Sequence, residues 1–507
     1  MKGEISMKKW LSISLLACSA LLLTACNSGK STQTKSTTTQ SSQVTSSASK
    51  NGYTDPKELK DSYDVIIVGA GGAGMTAAIE AKDAGLNPVI FEKMPVAGGN
   101  TSKSSSGMNA AGSKFQKEQG INDTTDAFYE ETLKGGKGTN DKELLRYFVD
   151  HSAEAIDWLD QNGIKLDNLT ITGGMSVKRT HRPTDGSAIG GYLVKGLERN
   201  VAERKIPIFV NADVKDIHTD NGVVDGVKVQ IQGEKAKNIK AKAVIVTTGG
   251  YGASKEILAK YRPDLKDYVT TNSKGTTGDG IALVEKLGGQ IIDMDKVQIH
   301  PTVNQEKGIL IGEAVRGEGA ILVDDEGNRF VNEMDTRDKV SAAINALPKK
   351  RAYLIFDQGV RSRATAIEFY AKQGYVKEGK TVADLAKTIK VPKANLEKAV
   401  ANWNKAVESK QDSEFNRTTA MEHTLSTPNY YAIQIAPGVH YSMGGVKINT
   451  NTEVLNKDNQ PIKGLYVAGE LVGGLHGDNR IGGNSVADIV IFGRQAGQQA
   501  AAFVKAQ

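Results

Sequence analysis

Cysteine is nearly absent: the 507-residue chain has two, Cys18 and Cys26, and none in the long remainder. That remainder therefore has no thiol nucleophile, no disulfide and no Cys-ligated metal or iron–sulfur cluster. No Cys-x-x-Cys-His occurs either, which excludes c-type haem attachment. Any redox chemistry falls to an organic cofactor, and no metal ligand set is expected. Long basic blocks are also missing. The 64 Lys and Arg stand against 58 Asp and Glu, a formal charge of +6 spread thinly, which argues against a nucleic-acid partner. No internal repeat of fixed period runs along the chain.

The hydrophobic fraction of 39% and charged fraction of 24% are ordinary for a globular protein, and the length predicts two to four domains. Met7-Lys8-Lys9 is a basic start, and residues 10–25 form an apolar run too short to span a bilayer comfortably. Residues 1–25 are thus expected to be a signal peptide. The run ends Leu23-Thr24-Ala25-Cys26, which resembles a bacterial lipoprotein box, and the resemblance implies acylation of Cys26. Residues 27–52 are nearly all Ser, Thr, Gln, Lys and Asn and cannot bury a core. A disordered tether over 26–60 is expected, holding a folded body on the order of 30 Å from a membrane.

The folded part opens on Asp64-Val65-Ile66-Ile67-Val68-Gly69-Ala70-Gly71-Gly72-Ala73-Gly74, followed by Pro88-Val89-Ile90-Phe91-Glu92. A β-branched run feeds a G-x-G-x-x-G turn, a helical stretch follows, and a second apolar run ends in an acid. That is the order of a dinucleotide-binding βαβ unit. Gly69 makes the turn, Gly71 admits a pyrophosphate, Gly74 lets helix and strand pack, and Glu92 reaches the ribose hydroxyls. Helical patterns follow at 124–134 and 141–161, a β-rich patch at 206–229, a buried strand from Ala243 into a glycine turn, and a final helix near 484–505. The class is α/β.

Several segments together resemble the soluble fumarate reductases of the flavocytochrome c type, within the fumarate reductase/succinate dehydrogenase flavoprotein family. They include Gly98-Gly99-Asn100-Thr101, Ser106-Gly107-Met108-Asn109-Ala110, His300-Pro301-Thr302, Glu313-Ala314-Val315-Arg316-Gly317, Thr336-Arg337-Asp338-Lys339, His440-Tyr441-Ser442 and Asn479-Arg480-Ile481-Gly482-Gly483-Asn484. The resemblance implies a Rossmann-like FAD-binding domain over 61–294 and 441–507, with an inserted α+β capping domain over 295–440. FAD would rest on Gly69, Gly71, Ala73, Gly74 and Glu92, with its ring near Asn100, Thr101 and Gly107. Val214, Asp279, Tyr441, Glu470, Ser485 and Val486 match further flavin contacts. Asn100 stands where membrane-bound members have a flavin-linking His, so non-covalent FAD is implied.

The same resemblance implies reduction of a C=C bond beside a carboxylate, with hydride from FAD N5 and a proton from Arg337. Glu313 and Arg316 would relay protons to Arg337, and His300, His440 and Arg480 would hold the carboxylate, with Gly483 and Ser106 beside them. Taken singly, Arg337 with Asp338 reads as a surface ion pair and Glu313 with Arg316 as a helical pair. His218 and His423 match no motif and read as surface residues. Two positions depart from the family pattern. Gly312 stands where fumarate-specific members usually carry Thr, and is expected to leave room for a bulkier substrate. Ser106 stands where Gly is usual.

The expected reaction is fumarate to succinate. A reductase of urocanate, cinnamate or an acrylate stays open, as does a non-catalytic flavin relay. No haem or FMN domain is recognisable, so electrons are expected from an external protein, a quinol-linked carrier or free flavin. The expected location is a lipid anchor outside the cytoplasm.

Overall fold

The computed structural model describes residues 52–507; the expected signal peptide, Cys26 and tether residues 27–51 lie outside them. The tether expected to run to residue 60 ends sooner. Thr54 N–H donates to Ile208 O at 2.9 Å, and the Thr54 hydroxyl accepts from Ile208 N–H at 3.0 Å. The Tyr53 hydroxyl accepts from Ala97 N–H at 3.0 Å. One aromatic and one threonine thus dock a stretch whose charged continuation, Asp55–Asp61, disguises it.

The β-branched run at 64–68 becomes the strand Ser62–Val68, with Val65, Ile66 and Ile67 fully buried. It is flanked in parallel by Pro88–Phe91 on one side and Lys237–Val246 on the other. Ile208–Phe209 extends the sheet beyond Pro88–Phe91, and Pro461–Val467 pairs in parallel with Lys237–Val246. A strand from the far end of the chain therefore completes the sheet begun at residue 62, which makes this domain discontinuous. Near-continuous apolar strands suit a parallel sheet covered on both faces.

The helix Gly72–Asp83 follows the first strand, and the C-terminal helix Asn484–Lys505 packs on it. Gly493 and Gly497, one turn apart, make the contact possible. A Cβ at Gly493 would stand 2.8 Å from Ala73 O, and one at Gly497 would collide with Ala77 O. The helical pattern at 141–161 is two helices, Lys142–Asp150 and Ser152–Gln161, broken at His151.

A second, antiparallel sheet of six strands includes Ile309–Leu310, Val297–Asn304, Tyr430–Ser442, Ala352–Asp357 and Ile321–Val323 in that order. It anchors a separate hydrophobic cluster built from residues between Ile311 and Ile435, and corresponds to the expected inserted α+β cap. The boundary expected at 440 falls inside the strand Tyr430–Ser442. Tyr431, Ile433 and Ile435 of that strand belong to the second cluster, and Val439 to the first. One strand thus ties the two cores together, and the cavity described below lies where they meet.

Candidate active site

A cavity of about 750 Å³ runs from the first glycine turn to the second sheet. At one end it is walled by Gly69, Gly71, Gly72 and Ala73, at the N-terminus of the helix Gly72–Asp83, where the backbone dipole favours an anion. Gly69 takes φ +107°, and a Cβ there would stand 2.6 Å from Thr247 O. At Gly71 a Cβ would meet only Thr101 Oγ1, at 3.9 Å, so the chain leaves open space on the cavity side. Glu92 closes this end, its carboxylate accepting from Ala70 N–H at 2.9 Å and Met94 N–H at 2.8 Å. Each oxygen keeps a lone pair for a ribose hydroxyl. A glycine cradle at a helix N-terminus with a buried acid beside it fits a dinucleotide.

The expected flavin contacts Asn100, Thr101, Gly107, Val214, Asp279, Tyr441, Glu470, Ser485 and Val486 also line the cavity. Gly74 is not among the lining residues; a Cβ there would collide with Gly69 O, so a glycine at this position lets helix and strand pack closely. Asn100 is committed through its side chain. Its Nδ2 donates to Glu470 Oε2 at 3.0 Å and Asn272 Oδ1 at 2.7 Å, and its Oδ1 accepts from Ser273 N–H at 2.7 Å. Burial pushes the Glu470 carboxyl up.

Arg337, His440, Arg480, Ser106 and Gly483 wall the other end. Arg337 opens the helix Arg337–Ala346 and is 4% exposed, so the surface ion pair with Asp338 is overturned. Its guanidinium is fixed on two sides. Nε donates to Glu313 Oε1 at 2.8 Å, one terminal nitrogen to Glu313 Oε2 at 3.1 Å, and the other to Gln298 Oε1 at 2.8 Å. Arg316 donates to the same Glu313 Oε1 at 3.3 Å from the single turn Ala314–Gly317. Arg337, Glu313 and Arg316 therefore form one buried, hydrogen-bonded chain. A Cβ at Gly482 would collide with Glu313 Oε2, so a glycine there lets the Arg480 loop lie against this pair.

Burial pushes Glu313 up, but Arg337 and Arg316 outweigh it and hold the carboxyl at about 2. Arg480 stands over the Tyr441 ring at 4.3 Å, donates to Ile481 O at 3.1 Å, and has an unpartnered Nε. Burial, and then repulsion from Arg337, lower it to about 9. It stays cationic at neutral pH, and no carboxylate among the described residues pairs with it. Burial and the surrounding guanidiniums hold His300 and His440 well below the usual range, so both rings are neutral. Thr302 N–H donates to His300 Nδ1 at 3.2 Å, which places the ring proton on Nε2, an atom with no partner.

His300, Glu313, Arg316 and Gly312 stand behind the wall rather than on it. The room expected at Gly312 does not exist: a Cβ there would stand 2.7 Å from Ser105 Oγ. The Gly312 N–H is also taken, by the Tyr370 hydroxyl at 3.0 Å. His423 is exposed; His218 is half-buried and pairs with Asn238. Two residues beyond the expected set belong to the site. Gln298 holds Arg337 and also donates to Asn479 Oδ1 at 3.0 Å and Arg480 O at 2.6 Å, so it spaces the two arginines. A bulge between Gln298 and Ile299 breaks the strand alternation that would have exposed it. Ser105 is the other; its sequence neighbours give no signal.

The FAD binding domain family model matches residues 64–486. An NADH:fumarate oxidoreductase of Klebsiella pneumoniae (strain 342) is 51% identical over 87% of this chain, which spans 48% of that relative. A fumarate reductase (cytochrome) of Shewanella frigidimarina is 43% identical over 88% of this chain and 78% of its own. The open conformation of a flavocytochrome c3 fumarate reductase superposes with a TM-score of 0.72 at 40% identity, covering 88% of this chain and 79% of that one.

Proposed function

We propose that this chain, which belongs to the fumarate reductase flavoprotein family, reduces the C=C bond of fumarate with electrons from FAD. The charge of the buried site carries the choice of substrate. Arg337, Arg316 and Arg480 contribute three guanidiniums and Glu313 one carboxylate, while both histidines are neutral, so the cluster holds a net +2. A dicarboxylate brings −2 and completes it. A urocanate, cinnamate or acrylate anion would leave one buried cation uncompensated, which is costly in a low-dielectric site.

Bound FAD would supply a hydride to one alkene carbon. Arg480 and the His440 ring, which both wall the cavity, grip a carboxylate and stabilise charge that develops on it, with neutral His300 packed behind them. Arg337 delivers a proton to the neighbouring carbon. A guanidinium is a very weak acid, with a pKa above about 12, yet the carbanion is far more basic, so the transfer runs downhill. The neutral Arg337 is then reprotonated through the ionised Glu313 carboxylate, which takes a proton from Arg316 and passes it on along the hydrogen bond at 2.8 Å, while Arg316 regains its proton from solvent. Gln298 and Glu313 hold the Arg337 plane still while this occurs, which is the positioning such a transfer needs.

Asn100 lacks an imidazole, and its side chain is fully engaged, which supports non-covalent FAD. Electrons enter from a donor outside the chain: a protein, a quinol-linked carrier or free flavin. Leu23-Thr24-Ala25-Cys26 supports a lipid anchor on the outer face of a bacterial cell membrane; labelled fatty acid that fails to enter the protein would count against it. The functional reading is tested by an anaerobic assay with reduced methyl viologen across fumarate, urocanate, cinnamate and acrylate. Fumarate should give the highest kcat/KM, and preference for any monoanion contradicts the proposal.

A further inference from the structure

We propose that the Ser105 hydroxyl is a substrate-binding donor, hydrogen-bonded to the carboxylate that lies beside Gly312. The inference rests on the dicarboxylate reading above. Ser105 is 8% exposed, and its Oγ is buried with no hydrogen-bond partner among the described residues. A buried hydroxyl without a hydrogen-bond partner is costly, and such a group calls for a ligand. Ser105 walls the same cavity as Arg337, His440 and Arg480.

Its position is set by a missing side chain. A Cβ at Gly312 would meet Ser105 Oγ at 2.7 Å and Ser105 Cβ at 3.0 Å, so the serine fills the space where any side chain at 312 would begin. The Gly312 N–H is committed to Tyr370 and cannot serve a ligand. The site thus keeps a short polar donor at this spot, but draws it from the loop between Thr101–Lys103 and Met108–Asn109. Residues 105 and 312 should therefore be coupled in sign: either change alone harms, and the pair compensates.

The test is the FAD-loaded enzyme assayed with reduced methyl viologen, fumarate and the monoanion crotonate. Ser105→Ala should raise KM for fumarate about 10- to 100-fold, the range of a hydrogen bond to a charged group, with kcat little changed and crotonate unaffected. Gly312→Thr should be harmful alone. Ser105→Ala with Gly312→Thr should bind fumarate more tightly than Ser105→Ala, because the threonine hydroxyl then has room. Bound-FAD absorbance confirms that each variant is loaded, and Ser105→Ala with the double variant decide the matter if Gly312→Thr fails to fold. A wild type that prefers crotonate overturns the substrate reading and this inference with it. A wild type that prefers fumarate, with an unchanged KM in Ser105→Ala, overturns this inference alone.

Discussion

Two buried clusters of charge lie side by side in this molecule, and they are built on opposite terms. In the first, Arg329 and Arg417 face Glu333 and Asp412. Arg329 Nε is 2.9 Å from Glu333 Oε1, its terminal nitrogen 3.0 Å from Asp412 Oδ2, and Arg417 3.1 Å from Glu333 Oε2. Two cations meet two anions, with side chains no more than 2% exposed. In the second, Arg337 and Arg316 share the single carboxylate of Glu313, and Arg480 beside them has no carboxylate partner among the described residues. The clusters touch: Arg316 donates to Glu333 O at 2.6 Å, and Arg417 to Arg316 O at 2.8 Å. The balanced cluster is a brace, and the unbalanced one is a site held in place by it. An unpaired buried charge is expensive, so its retention in Arg480 marks where a ligand's charge completes the structure.

The comparison breaks first at Arg337. Arg337→Ala should leave FAD bound and reducible yet cut fumarate turnover by about 10²- to 10⁴-fold, the range for a lost proton donor. Stopped-flow and steady-state assays on the loaded variant decide it, and retention of a tenth of the activity places the donor elsewhere. Glu333→Ala strikes the brace. It leaves Arg329 and Arg417 short of a buried partner and should remove about 3–5 kcal/mol from unfolding in urea. A stability within about 0.5 kcal/mol of wild type, the range of an ordinary surface substitution, would show that the cluster is not a brace.

Arg480→Gln should do the reverse. Substrate-free stability should hold or rise, because an unpaired cation is gone, while KM for fumarate rises about 10- to 100-fold, the scale of a lost charged hydrogen bond. A thermal melt beside a fumarate titration reads both. Acidity gives the smallest effect. Arg480 is lowered to about 9, so it loses its charge as pH rises through that value. The kcat/KM for fumarate should then decline by about tenfold per unit above pH 9. It should show no break between pH 6 and 8, since His300 and His440 are neutral there and Glu313, at about 2, remains ionised. A histidine-like inflection near 6.5 would place a charged imidazole in the site.

What could be read from sequence was what is local. Asp64–Gly74 and Glu92 carry their strand, turn and acid within one stretch, and the structure builds them as read. The strand read from Ala243 begins at Lys237, because its first half is an exposed hairpin partner of Val223–Ile231 whose lysines and asparagine hide the pattern. Arg337, Glu313 and Arg316 were picked out through motif order. Their partners were not: Arg329 and Asp412 stand 83 positions apart, and Arg337 and Gln298 39. Ser105 sits in a run of serines, and only the fold reveals that it fills the place left by Gly312. Charge balance is a property of the packed cluster, so the contrast between brace and site had no counterpart in any one segment.

The central claim is that the unbalanced cluster is completed by two substrate carboxylates. The most direct measurement is kcat/KM for fumarate against its monomethyl ester, a monoanion of nearly the same shape, under identical reduced-viologen conditions. The account predicts that fumarate wins by about 10- to 100-fold, one charged hydrogen-bonding group's worth of binding. Equal values for the two would contradict it.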